Sequence, residues 1–144
     1  MEKIKFVIKG IEDGWPPVKY ENLWGEKDGN TFKVKNAPFF IDNIAFDDVV
    51  QIKKLDDNSF DIIKIVNQSP NSTIWIYIND DNDIPIIIKQ IKDLKCAVEG
   101  GVVDNYYSIN IPSSSILKVL YGLLDPYIND EKIMVDYPCI KEDT

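Results

Sequence analysis

Residues 72–94 read STIWIYINDDNDIPIIIKQIKDL, and this stretch decides the fold. Ile74, Trp75, Ile76, Tyr77 and Ile78 follow one another without a break, apolar or aromatic on both faces. That is the pattern of a central strand covered on two sides. Asn79 to Asp83 is a polar loop. From Ile84 the period changes. Ile84, Ile87, Ile88, Ile91 and Leu94 recur at helical spacing, with Lys89, Gln90, Lys92 and Asp93 opposite. Asp83 is placed to cap this helix, and Pro85 falls in its first turn, where no N–H is missed.

Toward the C-terminus the alternation resumes. Lys95 to Glu99 reads as a short strand, Gly100-Gly101 as a turn, and Asn105 to Ile111 as a strand that Pro112 ends. Ser113 to Ser115 can cap a second helix. Its apolar face is Ile116, Val119, Leu120, Leu123 and Leu124, and Asp125-Pro126 is expected to stop it. Lys132 to Tyr137 is the last strand. The order strand, helix, strand, strand, helix, strand is the split, ferredoxin-like βαββαβ arrangement. Right-handed crossovers then put the Ile74 and Ile109 strands in the middle. Cys96 and Cys139 fall on opposite edges, too far apart to bridge.

Upstream, the first 70 residues read as consecutive short strands. Ile4, Phe6 and Ile8 alternate with lysines. Asp13-Gly14-Trp15-Pro16-Pro17 is a turn, because adjacent prolines exclude helix and interior strand. Val18 to Trp24 follows, with Val18, Tyr20, Asn22 and Trp24 on one side. Asp28-Gly29 suits a tight hairpin, and Thr31 to Lys35 returns with Phe32 and Val34 inward. Ala37-Pro38-Phe39-Phe40 is an apolar plug, and Ile44 to Asp48 a short connection. Val49 to Leu55 and Ser59 to Asn67 are paired across the turn Asp56-Asp57-Asn58. Such strands suggest a small antiparallel barrel. The expected fold class is therefore α+β: a barrel-like β unit over residues 1–70, then a ferredoxin-like unit over residues 71–144.

The composition excludes much chemistry. The chain has 144 residues and net charge −8, and its sixteen basic residues are all Lys, with no Arg and no His. Histidine-based triads, imidazole general bases and His metal ligands are ruled out. So are guanidinium clamps for phosphate or carboxylate. The net charge opposes binding to nucleic acid or an anionic membrane. The N-terminal residues alternate Lys with apolar side chains rather than forming a signal-peptide core. No apolar run approaches the roughly 18–20 residues of a membrane helix. Two cysteines without metal or redox spacing read as free thiols in a cytoplasmic protein.

Several segments together resemble an uncharacterised bacterial domain family. They are Asp13-Gly14-Trp15-Pro16-Pro17, Glu21-Asn22-Leu23-Trp24, Pro38-Phe39-Phe40, Asp47-Asp48-Val49-Val50 and Asn71-Ser72-Thr73. The family carries a similar series of WPP, ESLW, PFF, GDVV and NST. Asp47 stands where the family usually has Gly. The resemblance implies no activity, since none is established for the family. By size and charge such chains are similar to bacterial immunity proteins.

The candidate functional residues are mostly acidic. Asp80, Asp81 and Asp83 supply oxygens at calcium-loop spacing, but the turn glycine and the distal bidentate Glu are missing, which favours a solvated loop. Asp47-Asp48 and Asp56-Asp57 make poor catalytic dyads, because neighbours in a strand face opposite ways. Glu99, Asp104 and Asp136 offer no readable pairing. As an anionic surface, Asp47, Asp48, Asp56, Asp57, Asp61, Asp80, Asp81 and Asp83 suit a Lys- and Arg-rich partner. Trp15, beside two prolines, is the best exposed aromatic anchor. The expected function is a non-catalytic immunity or antitoxin protein that covers the basic active site of a cognate toxin, plausibly a nuclease. It would need no cofactor or metal and would bind neither nucleic acid nor membrane. The alternatives are a small-molecule sensor with a pocket lined by Trp15, Phe39 or Phe40 and, last, a carboxylate-based enzyme.

Overall fold

Gly29 turns the tight hairpin between residues 20–28 and 31–34 at φ 59°, a left-handed conformation that glycine adopts without a Cβ penalty. Asp28 pairs with Thr31 across the two-residue loop. The computed structural model describes residues 1–142, which form two sheets and two helices, an α+β chain. The chain divides into two compact units, Met1–Ser69 and Pro70–Thr144.

The first unit is a meander of β1 (Glu2–Val7), β2 (Tyr20–Asp28), β3 (Thr31–Val34), β4 (Val49–Lys54) and β5 (Phe60–Asn67). Its strands close into a barrel in chain order. Each sequential pair is antiparallel. An odd number of alternating strands brings the first and last together in the same direction, so β1 and β5 meet in parallel, at the single pair Phe6–Phe60. Phe6, Leu23, Phe32, Val34 and Val50 are wholly buried inside. The Phe6 and Phe32 ring centroids are 5.3 Å apart. Gly25 is required by this packing, because a Cβ there would stand 2.2 Å from the Lys33 carbonyl and 2.3 Å from the Phe32 ring.

Strand β2 begins at Tyr20, two residues later than the sequence suggests, and runs on to Asp28. Tyr20, Asn22 and Trp24 do share a side, and it is the outer one; Glu21, Leu23 and Gly25 point inward. The exposed rings are covered by lysines of β1. Lys5 Nζ lies 4.6 Å from the Tyr20 ring centroid and Lys3 Nζ 5.6 Å from that of Trp24. Phe39 and Phe40 are buried in the β3–β4 connection.

The second unit comprises β6 (Ser72–Ile78), α1 (Ile84–Asp93), β7 (Ala97–Glu99), β8 (Tyr106–Ile111), α2 (Ser114–Asn129) and β9 (Ile133–Cys139). The strand order is β7-β8-β6-β9, antiparallel throughout. Ile74, Ile76 and Ile78 of β6 join Ile109 and Ile111 of β8 under Ile87 and Ile91 of α1 and Leu117, Leu120 and Leu124 of α2. Burying each such side chain stabilises the unit by about 1.5–3 kcal/mol.

Four local expectations change. Asp83 makes no capping hydrogen bond to α1; Asp80 instead accepts from Asn82 N and caps a single 3-10 turn over Asp81–Asp83 that leads into the helix. Helix α2 passes through Asp125-Pro126 to Asn129. Tyr127 and Ile128 pack on the core beyond it, and that packing outweighs the backbone bond Pro126 cannot make. Its buried stripe is Leu117, Leu120 and Leu124, while Val119 is exposed. The last strand extends to Cys139 through Pro138, which an edge strand tolerates. Cys139 ends β9 and Cys96 precedes β7, at opposite edges, and no disulfide joins them.

Candidate functional site

One end of the second unit's sheet gathers three loops: residues 79–83 after β6, 100–105 before β8 and 130–132 before β9. Two asparagines hold them together. Asn79 donates its side-chain amide to the Glu131 carbonyl at 2.7 Å and its backbone N–H to the Lys132 carbonyl at 3.0 Å. Asn105 donates to the Ile78 carbonyl at 2.7 Å and to Asp81 Oδ1 at 2.8 Å. The three loops carry Asp80, Asp81, Asp83, Asp104, Asp130 and Glu131, with Lys132 as their one cation. All but Asp83 are exposed, and Asp83 is half-buried. A groove of about 490 Å³ opens between the first two loops, with Ile84, Pro85 and Tyr107 lining it beside Asp81 and Asp104. Such a groove can take the aliphatic stem of a basic side chain while carboxylates meet its charged head. Among the described residues, no three Asp, Glu or Cys side chains converge as a metal cage requires.

Charge follows the same division. Residues 1–69 hold ten lysines against twelve acids, and residues 70–144 hold six against twelve, so the net charges are −2 and −6.

The acids expected at a surface in the first unit are mostly engaged. Asp48 is a correction: it is fully buried and caps two backbone N–H groups, those of Ala45 at 2.8 Å and Ser69 at 2.7 Å, so it cannot reach a partner. Asp47 pairs with Lys35 at 2.6 Å. Asp61 pairs with Lys9 at 2.6 Å. Asp56 and Asp57 are exposed in the β4–β5 turn. Asp57 accepts from the Ser59 hydroxyl and backbone N–H and from the Tyr20 hydroxyl, which lower its pKa to about 2. Glu99 and Asp136 lie on β7 and β9, at opposite edges of their sheet, and form no dyad.

The segments that carry the family resemblance meet for an architectural reason. Glu21, buried on β2, accepts three successive backbone N–H groups: Phe39 at 2.6 Å, Phe40 at 2.9 Å and Ile41 at 3.1 Å. Trp15 is 44% exposed and stands edge-on to Phe40, with ring centroids 5.7 Å apart. The sequence signal for this role of Glu21 is a lone acid at an inward strand position, opposite a connection that belongs to no strand. Asp47 takes φ 68°, the conformation for which a glycine would be chosen. Its backbone N–H reaches the Val34 carbonyl at 2.7 Å, so the turn forms without the glycine.

A family profile, Domain of unknown function (DUF4265), matches residues 21–134. The chain belongs to that family. Its fold is similar to the crystal structure of a hypothetical protein from Neisseria gonorrhoeae, at 21% identity over 99% of both chains with a TM-score of 0.79. No curated protein matches the chain. The DUF4265 match includes the Glu21 clamp and all three loops of the acidic end, while Trp15 precedes it.

Proposed function

We propose that this DUF4265 chain is a non-catalytic, cytoplasmic protein-binding module that neutralises a cognate toxin by laying its acidic end over a basic active site. The observation that supports it is the set of three loops, fastened by Asn79 and Asn105, that carry six carboxylates against one lysine. Fixing the loops in advance reduces the ordering cost of binding. Like-signed charge at one end speeds encounter with a basic partner. The groove beside Asp81 and Asp104 suits a Lys or Arg side chain of that partner. In this reading the second unit is a ferredoxin-like module that presents the site, and the first is a barrel whose acids serve its own folding.

The test is stopped-flow association with the toxin encoded beside this chain's gene. Charge reversal at Asp80, Asp81 and Glu131 is expected to slow association by about tenfold or more at low salt, with the difference shrinking as salt is raised. Reversal at Asp56 and Asp57 should have a smaller effect. An unchanged rate for the triple variant at low salt rejects the electrostatic mechanism.

A further inference from the structure

The seam of the barrel is held by one pair. Beyond Phe6–Phe60, a cleft of about 280 Å³ lies between the end of β1 and the body of β5, walled on its third side by residues 40–44. Its apolar lining includes Ile8, Ile41, Ile44, Ile62 and Ile65. Ile41, Ile62 and Ile65 pack against the barrel core yet remain only half-buried, and all three face this cleft. The core is thus incomplete on one side, where an apolar body would finish it. The rim is charged and balanced. Lys9 and Lys64 stand there with Asp42 and Asp61, and only Lys9 and Asp61 are paired with each other among the described residues.

We propose that this cleft is a binding site for a small zwitterion with an apolar side chain, of the chemical class of leucine or phenylalanine. The side chain would complete the core, Lys64 would meet the carboxylate and Asp42 the ammonium. A simple anion would meet both aspartates, and a simple cation both lysines. Two irregularities in the β4–β5 pairing leave Ile63 and Val66 out of register and exposed. They bend β5 away from the flat edge that an added peptide strand needs, which favours a compact ligand.

The test is a methyl- and amide-detected NMR titration of the full chain. L-leucine and L-phenylalanine are compared with 4-methylpentanoate, 3-methylbutylamine and an extended Leu- and Val-rich peptide. The amino acids are expected to shift the Ile8, Ile41, Ile44 and Ile62 methyls with a dissociation constant of about 1 mM or below. Asp42→Asn and Lys64→Gln, both at the rim, should each weaken binding by about tenfold without moving the thermal midpoint. Absence of methyl shifts at about 20 mM amino acid, far above that constant, overturns the proposal. Equal binding of the carboxylate or the amine alone overturns the zwitterion assignment. Shifts from the peptide alone, concentrated in the β5 amides, would make the seam a strand-addition site instead.

Discussion

Glu21 sits in the barrel wall as a buried charge with three backbone donors aimed at it. Glu21→Ala removes the acceptor of these three hydrogen bonds and should destabilise the chain by about 3 kcal/mol, read as a lower midpoint in urea. At Asp47 the side chain and the backbone pull in different directions. The left-handed φ disfavours any Cβ, while the Lys35 ion pair is half-buried and weakly favourable. Asp47→Ala keeps the strain and loses the pair, and should lower stability; Asp47→Gly removes both and should be near neutral. Equal losses for the two variants would show that the ion pair, not the backbone, governs this turn. Asp57 has a depressed pKa in the folded chain, so its contribution to stability is fully present above the unfolded value of 3.8 and fades as pH falls toward about 2. Carbon-detected titration should find its carboxyl still ionised at pH 3, about a unit above that midpoint, and Asp57→Asn should flatten the stability profile in that window.

At the scale of elements, the strongly periodic segments were readable and the packing-dependent details were not. Ser72–Ile78 shows as a strand because every position is apolar or small, and Ile84 to Leu94 as a helix because its isoleucines recur every three or four residues. Pro126 misleads, since local rules count its lost hydrogen bond but not the burial of Tyr127 and Ile128 beyond it. Pro126→Ala should therefore lengthen nothing and stabilise α2 by about 1 kcal/mol or more. Helical spacing likewise does not reveal that a 3-10 turn over Asp81–Asp83 precedes α1, so that the capping bond is made by Asp80 to that turn and not by Asp83 to the helix. In β2 the alternation was legible but not which face was inside. Gly25 helps settle that: a residue with no side chain lies under the Phe32 ring, and Gly25→Ala should cost about 2 kcal/mol through overpacking. The acidic end was half visible. Asp80, Asp81 and Asp83 lie close in sequence, whereas Asp104, Asp130 and Glu131 join them only through the sheet order and two asparagine bridges.

For the molecule as a whole, charge and thiols each make a separable statement. The second unit carries most of the negative charge, so salt should affect any charge-steered association through that unit first. The thiols sit at the two outer edges of one sheet, and burial pushes the Cys96 pKa up to about 11. Mild oxidation should leave the mass of the intact chain unchanged, and Cys96 should resist iodoacetamide at neutral pH until the chain is unfolded. Rapid alkylation in the native state would show that the β7 edge opens far more readily than its packing implies.

The parallel joint between β1 and β5 follows from arithmetic rather than from any side chain. Five alternating strands cannot close head to tail, so one dissimilar seam must exist, and the meander fixes its address between the first strand and the last. Substitutions around it can alter what fits there, but only inserting or deleting a whole strand could abolish it. Drift in the surrounding residues would keep a doorway in the same place while changing its lock.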